Sequence, residues 1–500
     1  MKRVLIANRG EIALRIIRGC HEEGLEAVAV YSEADRTSPH VRAADAAVEL
    51  GPPPASESYL NIEKLLEAAK ATGAEAVHPG YGFLAERAQF AQAVEDAGLI
   101  FIGPPASAIS AMGDKTEARR RMSQAGVPVI PGTKEPSDTA AAAKAAAADV
   151  GYPVLLKASA GGGGKGMRRA DSEEQVDKLF AQASSEALSA FGDGSIYVEK
   201  LIERPRHVEV QVLADRNGTV LHLGERECSV QRRHQKLIEE SPSPAVGAAL
   251  RAEMGAAAVQ AARSVGYVSA GTVEFLLDPT GHFYFLEMNT RLQVEHPITE
   301  LVYGVDIVRE QLRIAAGEPT LLEDIVRTPV GHAIECRITA EDPFSGFLPA
   351  TGRVDYFRPP AGPGVRWDGG IDVGNEIGLF YDSLLGKLIT WGEDRTRAIR
   401  RMRRALEEMV IVGVHTSQPF HRRVMEDEHF VSGDYDIEYL EREGAHTLEP
   451  RVDHEEIKRM AVAVALAEDE RRNAAIVMPS GRGEAQESAW LLAARRAGLR

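Results

Sequence analysis

Short apolar runs alternate with amphipathic stretches through the first hundred residues. RVLIA, EAVAVYS, EAVHPG and LIFIG have the length and composition of buried strands, while EIALRIIRGCHEEG, between the first two, repeats its apolar positions at helical spacing. Strand, helix, strand at this spacing is a parallel βαβ unit, so residues 1–112 are expected to form an open α/β sheet with a crevice at its strand ends. The turn ANRGE after the first strand has one glycine where a dinucleotide site has GxGxxG, which counts against NAD there. HPGYGFLAE, residues 78–86, falls at another strand end. Its glycines permit close backbone approach around Tyr81, and the segment reads either as a tight turn capping the sheet or as a ligand-facing loop.

DKTEARRRMSQAG reads as a helical linker to a segment, about 131–203, with its own pattern. There TAAAAKAAAAD is a helix capped by Thr139, PVLLKASA a strand, GMRRA a short return and SEEQV a helix start. SAGGGGKGM, 159–167, therefore joins strand to strand, and a small unit carrying such a loop is a candidate lid. From 204 to 445 the texture turns strand-rich. HVEVQVLAD, VLHLGERECSV, GTVEFLLD, HFYFLEMN and HAIECRITA, with DRNG and DPTG as turns, predict antiparallel pairing with helices packed on one side. Beyond about 446, two helical stretches, EEIKRMAVAVALAEDERR and ESAWLLAARRAG with Trp490 and Leu491, are either a docking appendage or a mobile tail.

Length and composition narrow the class. A chain of 500 residues holds about two to four domains, and 44% hydrophobic with 26% charged residues is ordinary for a globular protein. A net charge of −16 argues against nonspecific binding to nucleic acid or an anionic membrane, so an anionic substrate must meet a local basic cluster. Cys20, Cys228 and Cys336 are far apart, odd in number and without CxxC spacing, which suggests neither a disulfide framework nor a zinc site and fits a reducing compartment. With no signal-like apolar stretch at the start and no run of about 18 apolar residues, a cytoplasmic protein is expected.

Gly161, Gly163 and Gly166 satisfy GxGxxG formally, but a strand follows instead of the helix that gives that motif its mechanism. GxxxxGK[ST] fails too, because Lys165 precedes a glycine. A glycine hairpin flanked by Lys157 and Lys165 remains, either phosphate cradle or flexible turn. GTVEFLLDPTGHFYFLEMNTRLQVEH, 271–296, is more informative. Two strands joined by DPTG set Glu274 and Glu287 opposite each other, and period-two alternation puts Glu287, Asn289, Arg291, Gln293 and Glu295 on one face wherever the chain stays extended. Two carboxylates and an amide are oxygen donors suited to Mg²⁺ held jointly with a nucleotide's phosphates. An ion-pair network with Arg291 is the alternative. ERECSVQRRHQKLIEE, 225–240, gathers Arg226, Arg232, Arg233, His234 and Lys236, as an anion-attracting cluster or as a solvated, salt-bridged loop. Arg337, in HAIECRITAED, is a charge at the end of an apolar strand, either functional or buried and paired.

In this order VLIANRGEIA, HPGYGFLAE, MGDK, KASAGGGGKGM, EKLIERPRHVEVQVLAD, CSVQRRHQK, EMNTRLQVEHPITE and ECRITAEDP resemble the biotin carboxylases of the ATP-grasp superfamily, over residues 1 to about 445. The resemblance implies an α/β protein: an N-terminal open parallel α/β domain (1–112), an α+β ATP-grasp domain (113–330, lid at 131–203), a C-terminal antiparallel-sheet domain (331–445) and a helical tail (446–500). It implies that Lys115 and Lys157 hold ATP, with Gly163 and Gly164 closing over the phosphates. Glu199, Lys200, Leu201 and Ile202 would meet the adenine, and His207, Gln231, His234 and Leu276 would line the nucleotide site. Glu274, Glu287 and Asn289 would hold Mg²⁺, with Mn²⁺ as a substitute. Bicarbonate would rest on Lys236, Arg291, Gln293 and the Val294 backbone, with Glu295 as general base, and Arg337, near Tyr81, would meet the biotin ureido group.

The implied chemistry suits these residue types. Proton removal by Glu295 makes bicarbonate nucleophilic enough to attack the γ-phosphoryl group, and the resulting carboxyphosphate needs a lid against water. The chain has no AMKM-type lysine motif and ends soon after the match, so biotin is expected on a separate carrier protein. A carboxyltransferase subunit of an acyl-CoA carboxylase serving fatty acid synthesis, and a homodimer or larger complex, complete the expectation. Departures are Lys165, where arginine is as common, and His415 in GVHTSQPFHR, 413–422, in place of a lysine. The rival readings are another ATP-grasp ligase, joining a carboxylate to an amine, and a noncatalytic nucleotide-sensing scaffold. RLQVEHPITE and QRRHQK disfavour the first; retention of the paired acids, the base and Arg337 disfavours the second.

Overall fold

Val4, Leu5 and Ile6 are wholly buried in the central strand of the first sheet of the computed structural model, which describes residues 1–133, 135–158, 167–191, 194–320, 322, 328–449 and 454–476. That sheet has five parallel strands in the order Ala46–Gly51, Glu26–Ser32, Arg3–Ile6, Ala76–His78, Ile100–Phe101. Four are the expected apolar runs. The fifth, AAVELG at one edge, alternates partly buried with exposed positions and so lacks the continuous apolar run of a strand covered on both faces. Helix Gly10–Glu22 buries Ile12, Ala13, Ile16, Ile17 and Cys20, and the same apolar cluster takes in Leu292, Ile298 and Val302. That shared core fixes the first sheet against the segment that follows Asn289.

The segment expected as a lid forms a three-stranded antiparallel sheet, with Val154–Ala158 between Met167–Ala170 and Ile196–Lys200. Helices Ala140–Val150 and Glu173–Phe191 cover it, burying Ala143, Ala147, Val176 and Phe180 with Val154, Leu156 and Val198. Thr139 caps its helix as expected, its hydroxyl accepting from Ala142 N at 3.2 Å. The glycine loop lies outside the described residues, and Gly163 and Gly164 with it.

The third sheet has eight antiparallel strands in the order Phe283–Asn289, Ser269–Leu277, Arg206–Ala214, Val220–Arg232, Gln235–Ser241, His332–Thr339, Leu384–Gly392, Val365–Gly369. Strands from both sides of residue 330 hydrogen-bond within it. Helices pack on both of its faces, not on one as the turn pattern suggested. Val208, Val210 and Val212 join helix Ala248–Ser264 in one core, whereas Leu213 and Ala270 join Ile298 and Val302 in another. A strand covered twice is buried almost throughout, as Arg206–Ala214 is, so every second position is free to carry a buried polar group. Glu209 and Gln211 occupy those positions.

Met1–Leu448 is one compact unit. Glu240 ties its strand to the helix Arg395–Glu408: Arg395 donates to it through Nε and Nη2 at 2.7 and 3.0 Å, and His332 lies 2.5 Å away. Burial would raise the Glu240 carboxyl, but His332 and Arg395 outweigh it and lower it from 4.5 to about 2. A group depressed on folding stabilises fully above its unfolded value and loses that contribution as pH falls towards the folded one, here about 3 kcal/mol between roughly pH 4.5 and 2. Glu240→Gln is therefore expected to lower the melting temperature at neutral pH and to lessen its fall below about pH 4.5, read by calorimetry across pH.

In the second unit, Glu449–Arg500, the described helix is His454–Ile476, the first of the two expected tail helices; Trp490 and Leu491 lie outside the described residues. No helix among the described residues is long and apolar enough to cross a membrane. Cys20, Cys228 and Cys336 are free, buried thiols.

Candidate active site

A cavity of 1520 Å³ opens in the body, lined from the first sheet, the three-stranded sheet and the eight-stranded sheet. The hairpin of Ser269–Leu277 and Phe283–Asn289 supplies Glu274, Leu276, Glu287 and Asn289 to its wall. Its register sets Glu274 opposite Glu287, as the sequence predicts, and Thr272 opposite Asn289. On the other side Glu274 faces Glu209 and Leu276 faces His207. The extended chain stops at Asn289, and helix His296–Tyr303 begins directly after Glu295.

The polar side chains nevertheless converge. Arg291 donates to Asn289 Oδ1 and Gln293 Oε1, both at 3.0 Å, and Asn289 Nδ2 and Gln293 Nε2 donate to Glu274 Oε1 at 2.7 and 3.2 Å. The direct ion-pair partner of Arg291 is Glu86, at 2.8 Å, which also accepts from Thr290 N at 3.1 Å. Arg291 is thus ion-paired, and its carboxylate partner comes from HPGYGFLAE. That segment reads both ways at once. Gly80 is left-handed, and a Cβ there would lie 2.9 Å from Asn8 Nδ2, which bonds the Tyr81 carbonyl at 2.7 Å, yet Tyr81 lines the cavity.

Lys236 is the hub. Its ammonium donates to Glu209 Oε2, Glu274 Oε1 and Glu295 Oε1 at 2.6, 2.8 and 2.7 Å. Burial would depress it, but the three carboxylates reverse the effect and hold it well above the ordinary lysine value. Arg337 donates through Nε to Glu239 at 2.6 Å and through Nη2 to Glu295 Oε2 at 3.0 Å. Both readings of Arg337 therefore hold, since it is paired and also lines the cavity. Glu295 is wholly buried and not itself on the wall, though Lys236 and Arg337, which bind its two oxygens, are. Burial would raise its carboxyl, but Lys236, Arg337 and Arg226 hold it well below the usual range, so it is ionised. Burial pushes Glu239 up to about 7 despite Arg337, with the Glu295 charge adding to the rise.

The expected positive cluster of 225–240 disperses. Arg226 has no exposure at all: it donates to Glu209, Gln211, Thr299 and Thr272, at 2.5, 2.7, 2.9 and 3.0 Å, beneath the site. Arg232 turns to the Gly346 carbonyl and the Phe347 ring. Arg233 and His234 form the turn into Gln235–Ser241 with positive φ, and of the five only His234 and Lys236 reach the cavity.

Of the residues expected to meet a nucleotide, Lys115, Lys157, Glu199, His207, Gln231 and Leu276 line the wall, and Glu199 accepts from both Lys157 and Arg119. Lys200 instead donates to the Gly151 and Tyr152 carbonyls, at 3.0 and 2.8 Å, and it, Leu201 and Ile202 do not line the cavity.

The donor set fits a hard divalent cation. Glu287 has no hydrogen-bond or ion-pair partner among the described residues, and partial desolvation in the cavity wall with the facing Glu274 charge raises its carboxyl. The tighter group His207, Glu209 and Glu274 is already compensated by Lys236 and Arg226. Glu287 is thus a carboxylate without a cationic partner among the described residues, with Glu274 and Asn289 beside it to complete an oxygen donor set.

Sequence reasoning passed over Glu86, Glu209, Glu239, Glu11 and Lys387. Lys387, with no exposure, donates to the Val294 carbonyl at 2.9 Å and lies 3.1 Å from Glu11, which in turn accepts from Tyr81 OH. The signal existed for most: a charge inside an apolar strand, as in HVEVQV, KLIEE and LLGKLIT, the same signal that marked Arg337.

Three family models match in succession: biotin carboxylase, N-terminal domain, over residues 1–109; carbamoyl-phosphate synthase L chain, ATP binding domain, over 114–323; and biotin carboxylase C-terminal domain over 335–442. Fold and site thus define an ATP-grasp ligase. Among curated relatives, the biotin carboxylase of Nostoc sp. is 53% identical over 88% of this chain and 98% of its own length, and a pyruvate carboxylase subunit of Methanothermobacter thermautotrophicus 52% over 88% and 89%. The Campylobacter jejuni biotin carboxylase–β,γ-ATP complex superposes with a TM-score of 0.82 at 47% identity, covering 88% of this chain and 98% of that one. The biotin carboxylase domain dimer of Hydrogenobacter thermophilus 2-oxoglutarate carboxylase, solved with MgADP, ADP and bicarbonate, gives 0.82 at 47% over 90% and 99%. The chain belongs to the biotin carboxylase family, whose members are ATP-dependent ligases.

Proposed function

We propose that this chain carboxylates biotin on a separate carrier protein, using ATP and bicarbonate through carboxyphosphate. The observation that carries the reading is Glu295, ionised and buried, bound on one oxygen by Lys236 and on the other by Arg337 at the cavity wall, with Arg291 and Val294 beside it. Bicarbonate is held by Lys236, Arg291, Gln293 and the Val294 amide. Lys387 fixes the Val294 carbonyl, in the peptide that joins Val294 to Glu295. Glu295 takes the bicarbonate proton, and the bicarbonate oxygen attacks the γ-phosphoryl group of ATP. Lys115 and Lys157 bind the phosphates, and Glu199, His207, Gln231, His234 and Leu276 surround the nucleoside. Glu274, Glu287 and Asn289 would hold Mg²⁺ or Mn²⁺, which neutralises charge on the transferred phosphoryl group. Arg337, next to Tyr81, stabilises the enolate oxygen that develops on the biotin ureido group. Residues 1–112, 113–330 with a lid at 131–203, and 331–445 serve as the functional units.

An acyl-CoA carboxylase is the proposed setting, acting in fatty acid synthesis, with this chain as a homodimer beside a separate carboxyltransferase. The pyruvate carboxylase and 2-oxoglutarate carboxylase relatives support a keto-acid acceptor as the second reading. Sequencing the carboxyltransferase that copurifies with the full chain decides between them.

The test is ADP release that requires bicarbonate, rises with biotin and disappears in Arg291→Ala; full activity in both Arg291→Ala and Glu295→Ala contradicts the assignment. Arg337→Ala is expected to cut carboxybiotin formation by roughly 10²–10³-fold, while bicarbonate-dependent ATP cleavage without biotin falls less, because the guanidinium acts on the second half of the chemistry. Comparing the two assays on one preparation checks this.

A further inference from the structure

Two loops at the Arg337 end of the cavity carry large apolar side chains into solvent. Leu379 and Phe380 are 70% and 57% exposed and immediately precede Tyr381–Leu384, which line the cavity; Leu348, 63% exposed, pairs with Asp342 next to the lining residue Glu341. Single exposed apolar residues are ordinary on a protein surface, but these three sit on loops tied to each other, Ser383 Oγ donating to Glu341 at 2.9 Å and Ala340 N to the Ser383 carbonyl at 2.8 Å. The lip is also rigidly rooted. Tyr381 donates to the Pro53 carbonyl at 2.6 Å, its hydroxyl lies 2.5 Å from Ser32 Oγ, Arg9 lies 4.2 Å over its ring, and Phe380 leans on that ring at 6.4 Å.

We infer that Leu348, Leu379 and Phe380 form the docking surface for the body of the biotinylated carrier. The inference rests on the proposed function: if biotin must reach Arg337 on an arm tethered to a folded domain, that domain comes to rest on the rim beside Arg337. A carrier that must leave again for a carboxyltransferase calls for a small apolar contact, not an extended one, and a pre-organised lip limits the ordering cost of each visit. The partner surface it fits is a small apolar patch flanking the biotinyl lysine. None of the three side chains lines the cavity, so they act on the carrier and not on the biotin ring.

The experiment compares free biotin with a recombinant carrier domain biotinylated on its one acceptor lysine, using the full chain and its Leu379→Ser/Phe380→Ser and Leu348→Ser variants. The expected result is a KM for the carrier raised about tenfold in the double variant, less in Leu348→Ser, with kcat at saturating carrier and all free-biotin kinetics as in the parent. An unchanged carrier KM overturns the inference, as does a parallel loss with free biotin, which would make the lip part of the biotin site. A shift from dimer to monomer in sedimentation, with carrier kinetics intact, overturns it in favour of a face between copies. A parent chain that carboxylates neither substrate overturns the proposed function itself.

Discussion

Glu295→Gln is expected to reduce biotin carboxylation by roughly 10²–10⁴-fold with the protein still folded. The substitution keeps the shape of a side chain that is wholly buried and removes only its charge and basicity. In the native site Lys236 and Arg337 each give one hydrogen bond to this carboxylate and, with Arg226, keep it ionised against burial. Such a strongly stabilised carboxylate is a weak base towards water. In the proposed mechanism, bicarbonate binding between Lys236 and Arg291 would redirect the Lys236 ammonium, which is shared among three carboxylates, and free an oxygen of Glu295 to accept a proton. An amide can satisfy the same two donors only once and accepts no proton. Steady-state ADP release with and without bicarbonate, alongside a melting curve, measures the effect; activity within a few-fold of the parent would remove Glu295 from the role of base.

Arg226→Ala is expected to give the largest loss of stability of any single change considered, about 3–5 kcal/mol, because it leaves a buried carboxylate uncompensated. Arg226 has no contact with solvent and bonds four side chains from two neighbouring strands and the helix after Glu295: Glu209, Gln211, Thr272 and Thr299. Without it, Glu209 keeps only its share of Lys236. Denaturant unfolding of the parent and variant reads the difference. Should the alanine variant not accumulate as folded protein, Arg226→Lys, which keeps the charge but cannot make four directed bonds, is expected to unfold at an intermediate midpoint; a midpoint equal to the parent's in either variant contradicts the compensation argument.

How much of this was legible in the sequence depended on the range of the interaction. The Glu274–Glu287 pairing was readable because a DPTG turn and two short strands fix register locally. The cap on the helix at Thr139 and the parallel first sheet were local in the same sense. By contrast, the partner of Arg291 was not, because Glu86 lies about two hundred positions away, in the turn after strand Ala76–His78, and no local pattern encodes that meeting. The 225–240 basic cluster misled for the opposite reason. Its charges are neighbours in sequence, but strand alternation sends Arg226 beneath the site, and the turn at Arg233 and His234 reverses the chain before Lys236. The helices on both faces were missed because alternation inside a doubly covered strand, as in HVEVQV, looks like a half-exposed strand until its polar residues are seen to be buried.

The central claim is that bicarbonate, deprotonated beside Glu295, attacks the γ-phosphoryl group. Supplying ¹⁸O-labelled bicarbonate to the full chain with ATP, Mg²⁺ and biotin, and weighing the released phosphate by mass spectrometry, tests it most directly. The expected result is one labelled oxygen in each phosphate, since the attacking oxygen stays on phosphorus when carboxyphosphate breaks at its C–O bond. Phosphate released without label would mean that water, not bicarbonate, is the nucleophile, and would contradict the account.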